Sequence, residues 1–364
     1  MAYLKSIEKS KNIPQIVIDI TAGNLSAMEV YYKNKQHSIN KGFELEDLWG
    51  DRWVISPLNL ALRYNNFPSV KWLVEHGANL NVEHDFSILT AVRYCNEDII
   101  RYLVENGAKL LDTSKRRHDT NPYTEALRGK KLKNLPVIHE LGYTVEEFGG
   151  TAFRGEVLNR NYKALEFFVA HGVDVNYSKA DMIFPRHETA LHTATICGDL
   201  KMCKFLVKHG ADITLTDKNG MRPYNIAVEQ RHIALIEYFK SLEDDMMFDL
   251  EYKLLELEAY KLPDSLIEFL QGEQLRVHSN KNCDVAFVDF FSLIDTVSLE
   301  IDGQYYLRIS KEVHAYETVH VLWNPRTKQI ALYDEEHNEL KDVASFDDFI
   351  KNVGKYMEKF IFGD

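Results

Sequence analysis

The side chains that could do chemistry are scattered here rather than gathered. Cys95, Cys197, Cys203 and Cys283 contain no C-x-x-C pair, so they read as reduced thiols and not as a disulfide framework or a zinc site. His314, His320 and His337 lie near Asp334, Glu335 and Glu336, and a metal site could be drawn through them. Their spacing fits no standard ligand set, and acidic turn residues account for the carboxylates. His76, His171 and His209 each precede a glycine that ends an apolar stretch, a place where a histidine complements the negative end of a helix. No G-x-x-x-x-G-K-[ST], G-x-G-x-x-G after a strand, G-x-S-x-G or H-E-x-x-H occurs. No nucleophile stands beside a base in any recognised pattern. The expectation is a chain with no catalytic residues, cofactor or metal: not an enzyme.

What repeats is not a reactive group but a stop. Gly77, Gly107, Gly142, Gly172 and Gly210 are 30, 35, 30 and 38 residues apart, a period near that of helical solenoids. At seven, four and three residues before the glycine stand Val70, Leu73, Val74; Ile100, Leu103, Val104; Leu165, Phe168, Val169; and Cys203, Leu206, Val207. That spacing places one apolar stripe on a helix. The glycine follows because a left-handed residue commonly ends a helix, and glycine adopts that conformation cheaply. A second apolar set starts nineteen residues before each glycine, as in Leu58, Ala61, Leu62 and Leu191, Ala194, Thr195. A last copy, Tyr224, Ala227, Val228, is followed by Leu235, Tyr238 and Phe239 with no closing glycine. Each unit therefore predicts a pair of short antiparallel helices that buries its stripes only by stacking on a neighbour.

"ETALHTATICGDLKMCKFLVKHGADITLTDKNG" from Glu188 resembles the ankyrin repeat, with its T-P-L-H-x-A-A opening, internal glycine, leucine-rich helix and G-A-D. "SPLNLAL" (56–62), "NPYTEAL" (121–127) and "RPYNIAV" (222–228) repeat the opening. The resemblance implies about six units over 51–243, with a degenerate capping repeat in 1–50, where "TAGNLSAMEVYY" echoes the middle of a unit. Unit 151–172 departs most, with Glu156 at a small-residue position; His139 replaces an apolar residue in the unit before it.

In ankyrin stacks, partners meet the hairpin tips and first helices on the concave side. Carried onto this chain, the resemblance picks out Arg63 and Tyr64, Arg93 and Tyr94, and Arg128, which recur at matching offsets in three successive units. Packed helix pairs would set these arginines about 10 Å apart. At tip positions come Arg52, Trp53 and Ile55, then Glu83 and Asp85, then Arg117 and His118. Arginine mixed with aromatic rings is a composition expected of protein-interface anchors, whereas alkyl-stem packing is the bland reading of the same row. The basic stretches "SKRRH" (114–118) and "RGKKLKN" (128–134) raise nucleic acid as a rival ligand. Charge argues against it. Residues 1–243 carry 30 acidic and 31 basic side chains, and residues 244–364 carry 25 and 12, so the second half would repel phosphate.

After residue 243 the period stops. Residues 244–257 read as a connector helix, followed by a helix opened by Pro263 and Asp264. Then come strand-like runs "DVAFVDFF", "QYYLRIS", "TVHVLW" and "KQIALYD", separated by turn signals. "SFDDFIKNVGKYMEKF" closes the chain as one helix with Phe346, Phe349, Ile350, Val353, Tyr356 and Met357 on a single face. An α+β domain with an antiparallel sheet over 258–364 is the expectation, behind an α-helical solenoid. This part resembles the SUKH superfamily through "LPDSLIEFL" (262–270), "VLWNPRTKQIALYD" (321–334) and "ASFDDFI" (344–350). The glycine-rich turn that often follows the family's first helix is replaced by "QGEQ". Many SUKH proteins are immunity proteins of bacterial polymorphic toxin systems, so the resemblance implies a cytoplasmic protein that binds and neutralises a toxin domain. An acidic surface suits the basic cleft of a nuclease toxin, though it also simply keeps a domain soluble. The alternative is a scaffold or adaptor that holds a cellular protein partner. No run is apolar and long enough to cross a membrane, and the first residues are too charged for a signal peptide.

Overall fold

A computed structural model describes residues 13–34, 37–46, 51–82, 86–109, 121–279 and 283–363. The chain divides into two compact units, residues 1–177 and 178–364. The division falls inside the series of helix pairs, not at the end of the repeats, so the last two pairs belong to the same unit as the sheet.

In the first unit, helices Gln15–Ala22 and Leu25–Lys33 form an N-terminal pair, followed by a hairpin of β1 (Phe43–Glu46) and β2 (Arg52–Ile55). Four pairs follow: Pro57–Arg63 with Phe67–Glu75, Ser87–Tyr94 with Glu97–Glu105, Pro122–Arg128 with Asn134–Glu140, and Gly150–Leu158 with Tyr162–Ala170. The first helix of each pair packs on the first helix of the next along this unit. Side-chain caps start most of them: Ser56 accepts from Asn59 N, Asn66 from Ser69 N, Asn121 from Thr124 N and Asn161 from Ala164 N. The stripe residues Val70, Leu73, Ile100, Leu103, Leu165 and Phe168 are buried.

The closing glycines do what the sequence demands. Gly77, Gly107, Gly142, Gly172 and Gly210 all have φ between 78° and 97°. A second left-handed position joins the two helices of a pair, and there the chain also tolerates Asn65, Lys130, Arg160 and Arg231 beside Gly23 and Gly198. A left-handed non-glycine residue costs about 1–2 kcal/mol, which packing of the adjoining helices must offset. Asparagines tie neighbouring pairs together: Asn81 Nδ2 donates to Gly107 O at 2.9 Å while its Oδ1 accepts from Lys109 N at 2.7 Å. Asn40 repeats the arrangement toward Gly77 and Asn79.

The departures seen in unit 151–172 and in the unit before it are absorbed locally. Glu156 is buried but accepts from Asn159 Nδ2 at 2.8 Å and from Asn161 Nδ2. His139 Nδ1 accepts from Val145 N at 3.2 Å.

The second unit opens with helix pairs Ala190–Ile196/Leu200–Lys208 and Pro223–Glu229/Ile233–Lys240, whose first helices pack together. His192 serves as the third residue of a capping box with Thr189, and its Nε2 lies 2.9 Å from Met221 O. The 244–257 segment is a 3-10 turn, Asp245–Phe248, then a helix, Leu250–Leu257. Helix Asp264–Gln271 comes next, followed by β3 (Arg276–His278), β4 (Phe287–Phe290), β5 (Val297–Ile301), β6 (Gln304–Arg308), β7 (Ser310–Val313), β8 (Val319–Asn324), β9 (Gln329–Asp334) and β10 (Glu339–Ala344). They form an antiparallel five-stranded sheet ordered β10-β9-β8-β6-β5 and a three-stranded sheet ordered β3-β4-β7. Trp323, Leu307, Val321, Ile330 and Leu332 put one sheet face into the main core with Leu266, Leu270, Phe346, Phe349, Val353 and Met357. Trp323 Nε1 donates to Tyr260 O at 2.9 Å.

The closing helix is not continuous, as the apolar face had suggested. It breaks at Asn352 (φ −131°), giving Phe346–Lys351 and Val353–Phe362. Asn352 Nδ2 turns back to Asp348 O at 3.2 Å, a local bond that competes with the helical ladder. Both pieces still face one core.

Candidate protein-binding surface

The residues singled out on the repeats converge in the first unit. Arg63 ends its helix with its guanidinium 5.4 Å from the Trp53 ring on β2 and 6.0 Å from the Tyr94 ring of the next pair. Arg93 lies 5.3 Å over the same Tyr94 and its Nη1 is 3.2 Å from Glu125 Oε2. Arg128 Nη1 reaches Glu125 Oε1 at 2.7 Å. The three arginines thus belong to one ladder, Trp53–Arg63–Tyr94–Arg93–Glu125–Arg128, that crosses three successive pairs. Arg93 and Arg128 keep 32% and 42% of their side chains exposed, so each guanidinium still presents donors to solvent.

Two features make the ladder more than a run of charges. Gly129 brings the backbones together at its end: a Cβ there would fall 1.9 Å from Arg93 O. And Glu125 is a buried carboxylate between two arginines. It occupies the column that holds Leu60, Thr90, Gly155, Thr193 and Ile226 in the other units. The sequence reading missed it, and the signal was there: an acid in a column that otherwise holds only uncharged residues. Fixed partners of this kind pre-organise side chains that would otherwise lose rotamer freedom on binding.

The other selected positions fall differently. Arg52 is exposed and pairs with Glu46 at 3.1 Å across the hairpin. Ile55 is 2% exposed and offers no contact surface; strand alternation turns it inward with Trp53. Val54, which the reading passed over, is 67% exposed on the opposite face, beside Arg52. Tyr64 is half-buried at the helix end. Glu83, Asp85, Arg117 and His118 lie outside the described residues.

The second unit carries a different polar assembly, between its helix pairs and its sheets. Glu335 receives Arg186 Nε at 2.8 Å and Asn219 Nδ2 at 3.1 Å, with His320 Nε2 3.8 Å away. Burial pushes the Glu335 carboxyl up, but these partners outweigh it and hold it at about 2. Burial pushes the His320 imidazole down to about 4, helped by the charge of Arg308. Asp289 is ringed by Arg231 at 2.5 Å, Arg276 at 3.1 Å and Lys311 at 3.3 Å. Arg308 pairs with Glu229, and Tyr224 Oη donates to Asp295 at 2.9 Å. Met221, Ile226, Phe291 and Val297 form an apolar cluster beside them. His314, His320 and His337 do not converge on a metal-binding group; among the described residues no three metal-ligating side chains do. His337 instead holds Asp334 at 2.7 Å.

Comparison with known proteins bears on the repeats. The family description for ankyrin repeats matches residues 21–114 and 156–247, together just over half of the chain. The Notch-regulated ankyrin repeat-containing protein of Xenopus laevis is 33% identical over 86 residues, which is 24% of this chain and 75% of that protein. Protein phosphatase 1 regulatory subunit 27 of Mus musculus is 40% identical over 65 residues, 18% of this chain and 42% of that one. The potassium channel AKT1 of rice is 36% identical over 77 residues, and this chain spans only 8% of its length. Among solved structures, the human ASB11 ankyrin repeat domain matches at 17% identity and a TM-score of 0.45, covering 61% of this chain and 98% of that one. The Bcl-3 ankyrin repeat domain matches at 21% and 0.42, covering 50% and 83%. Among the described residues, no helix is long and apolar enough to cross a membrane.

Proposed function

Because the chain belongs to the ankyrin-repeat family, we propose that it is a non-enzymatic protein-binding protein whose partner docks on the ladder of Trp53, Arg63, Tyr94, Arg93 and Arg128. The ankyrin fold is a protein-binding scaffold. One observation carries the choice of surface: three arginines at one repeat position are held in place by two aromatic rings and a buried carboxylate, and Arg93 and Arg128 keep exposed donors. Aromatic and arginine anchors of this kind dominate the energy of many interfaces.

For the partner we propose a toxin domain that the chain neutralises in the cytoplasm. The support is the SUKH-like run of motifs in 258–364, together with that region's excess of acidic side chains, which would steer it toward a basic cleft. The helix, strand and helix segments that carry those motifs stand in that order in the second unit. An adaptor role for a cellular protein is the second reading, favoured by the regulatory names of the mouse phosphatase subunit and the frog Notch-regulated protein. Co-expression with the toxin domain encoded beside this chain's gene tests the choice. Rescue of growth by the wild-type chain, lost in Arg63→Glu/Arg93→Glu, supports neutralisation through the ladder. Absence of rescue, with a cellular protein retained by the same surface, supports the adaptor.

A further inference from the structure

The second unit contains a cleft of about 780 Å3 where its helix pairs meet its sheets. That volume lies within the roughly 300–1,000 Å3 of ordinary small-molecule sites. Its polar wall holds one buried group without a partner, on His320, and one donor that opens into the cleft, on the largely buried Arg308. Arg308 is 4% exposed; its Nε donates to Ser310 O at 3.1 Å and its Nη2 to Glu229, while Nη1 has no partner among the described residues. His320 is 3% exposed, and among the described residues its Nε2 has no hydrogen-bond partner, Glu335 standing 3.8 Å off. Leaving the buried His320 nitrogen without a partner is costly, and a bound ligand would remove that cost.

Across the cleft are acceptors. Asp217 spends Oδ1 on the backbone N–H of Asn219 and Met221, at 2.8 and 2.9 Å, and among the described residues nothing donates to its Oδ2. Glu229 uses Oε1 on Arg308, and among the described residues nothing donates to its Oε2. Ile196 and Val319 contribute an apolar wall.

Charge then selects the ligand class. Four cationic and five acidic side chains line the cleft, so the wall is balanced to within one charge. An anion would meet the open carboxylates, and a cation would meet the open guanidinium. A molecule carrying both ends satisfies both sets without adding net charge. We propose that this cleft binds a free α-amino acid with an aliphatic side chain, its carboxylate received by Arg308 Nη1, its ammonium by Asp217 and Glu229, and its side chain by the Ile196 and Val319 wall. The neutral His320 ring supplies a further hydrogen bond.

Titration of the full-length chain with L-leucine, followed by NMR of the histidine ring protons and by calorimetry, tests the assignment. Saturable binding at millimolar or lower concentration is expected, with the His320 signals shifting. 4-Methylpentanoate, which lacks the ammonium, and isoamylamine, which lacks the carboxylate, should each bind at least tenfold more weakly. Asp217→Asn keeps the Oδ1 acceptor for its turn and removes the charge, so it should weaken L-leucine at least tenfold. Ile196→Trp fills the cleft from a half-exposed position and should abolish binding while circular dichroism stays unchanged. The proposal is overturned if neither L-leucine nor the other aliphatic amino acids bind, if the single-ended analogues bind equally well, or if Ile196→Trp leaves binding intact.

Discussion

Replacing Glu229 by alanine strands a buried guanidinium. Arg308 keeps only 5% of its side chain exposed, and Glu229, at 22%, is its carboxylate partner. Removing one member of a buried pair costs about 3–5 kcal/mol, because the other charge stays desolvated. Arg308 retains Ser310 O and the Phe291 face 5.7 Å away, and water can enter where Glu229 was, so the lower end, about 3 kcal/mol, is expected. With a urea slope of about 2–3 kcal/mol/M, the midpoint falls by about 1–1.5 M. Glu229 lies on the last repeat and Arg308 on β6, so hydrogen exchange should accelerate in both 223–240 and 304–313. The double variant Glu229→Met/Arg308→Met removes both charges and should return to within about 1 kcal/mol of the wild type. A single variant that loses less than about 0.5 kcal/mol, or a double variant as unstable as the single, would refute the claim that this pair joins the last repeat to the sheet.

Acid should weaken the second unit through its buried histidines. His192 and His320 are each held at about 4, chiefly by burial, against about 6.5 unfolded. Unfolding takes up their protons, so stability falls as pH drops from about 6.5 to 4, by about 3 kcal/mol for each histidine. Asp217, raised by burial to about 6, works the other way and regains part of this between about pH 6 and 4. Glu335, held at about 2, loses its contribution below about pH 4.5. His320→Asn should flatten the upper part of this slope in urea midpoints taken from pH 7 to 4; an unchanged slope would contradict the assignment. Gly129→Ala should cost more than Gly77→Ala, since its Cβ would meet Arg93 O at 1.9 Å whereas that of Gly77 meets nothing within 4 Å. About 2–3 kcal/mol against about 1–2 is expected in thermal or urea unfolding, and the reverse order would show that the repeats do not pack as described.

The elements that could be read from sequence are those whose cause is local. A closing glycine at 77 or 210 follows from the left-handed residue a helix end needs, and the i, i+3, i+4 stripes follow from helical geometry. The ladder's arginines were legible as a column, because repetition converts spacing into position. Their partner Glu125 was not sought, since one acid in a first helix looks like a solvated residue until the neighbouring arginines close on it. Ile55 and Val54 exchanged roles because strand phase depends on pairing with β1, which the sequence did not reveal. Bonds such as Arg231 to Asp289 and Glu229 to Arg308 join residues 58 and 79 positions apart. No periodicity reports them, and they are what makes the last two helix pairs and the sheets one compact unit.

The central claim is that the ladder is where a protein partner binds. Its most direct test is the dissociation constant of the purified partner, whether toxin domain or cellular protein, for the wild-type chain and for Arg63→Glu/Arg93→Glu, at equal salt and with both chains shown to be folded. A loss of a hundredfold or more is predicted. Equal affinity for the two chains would contradict the account.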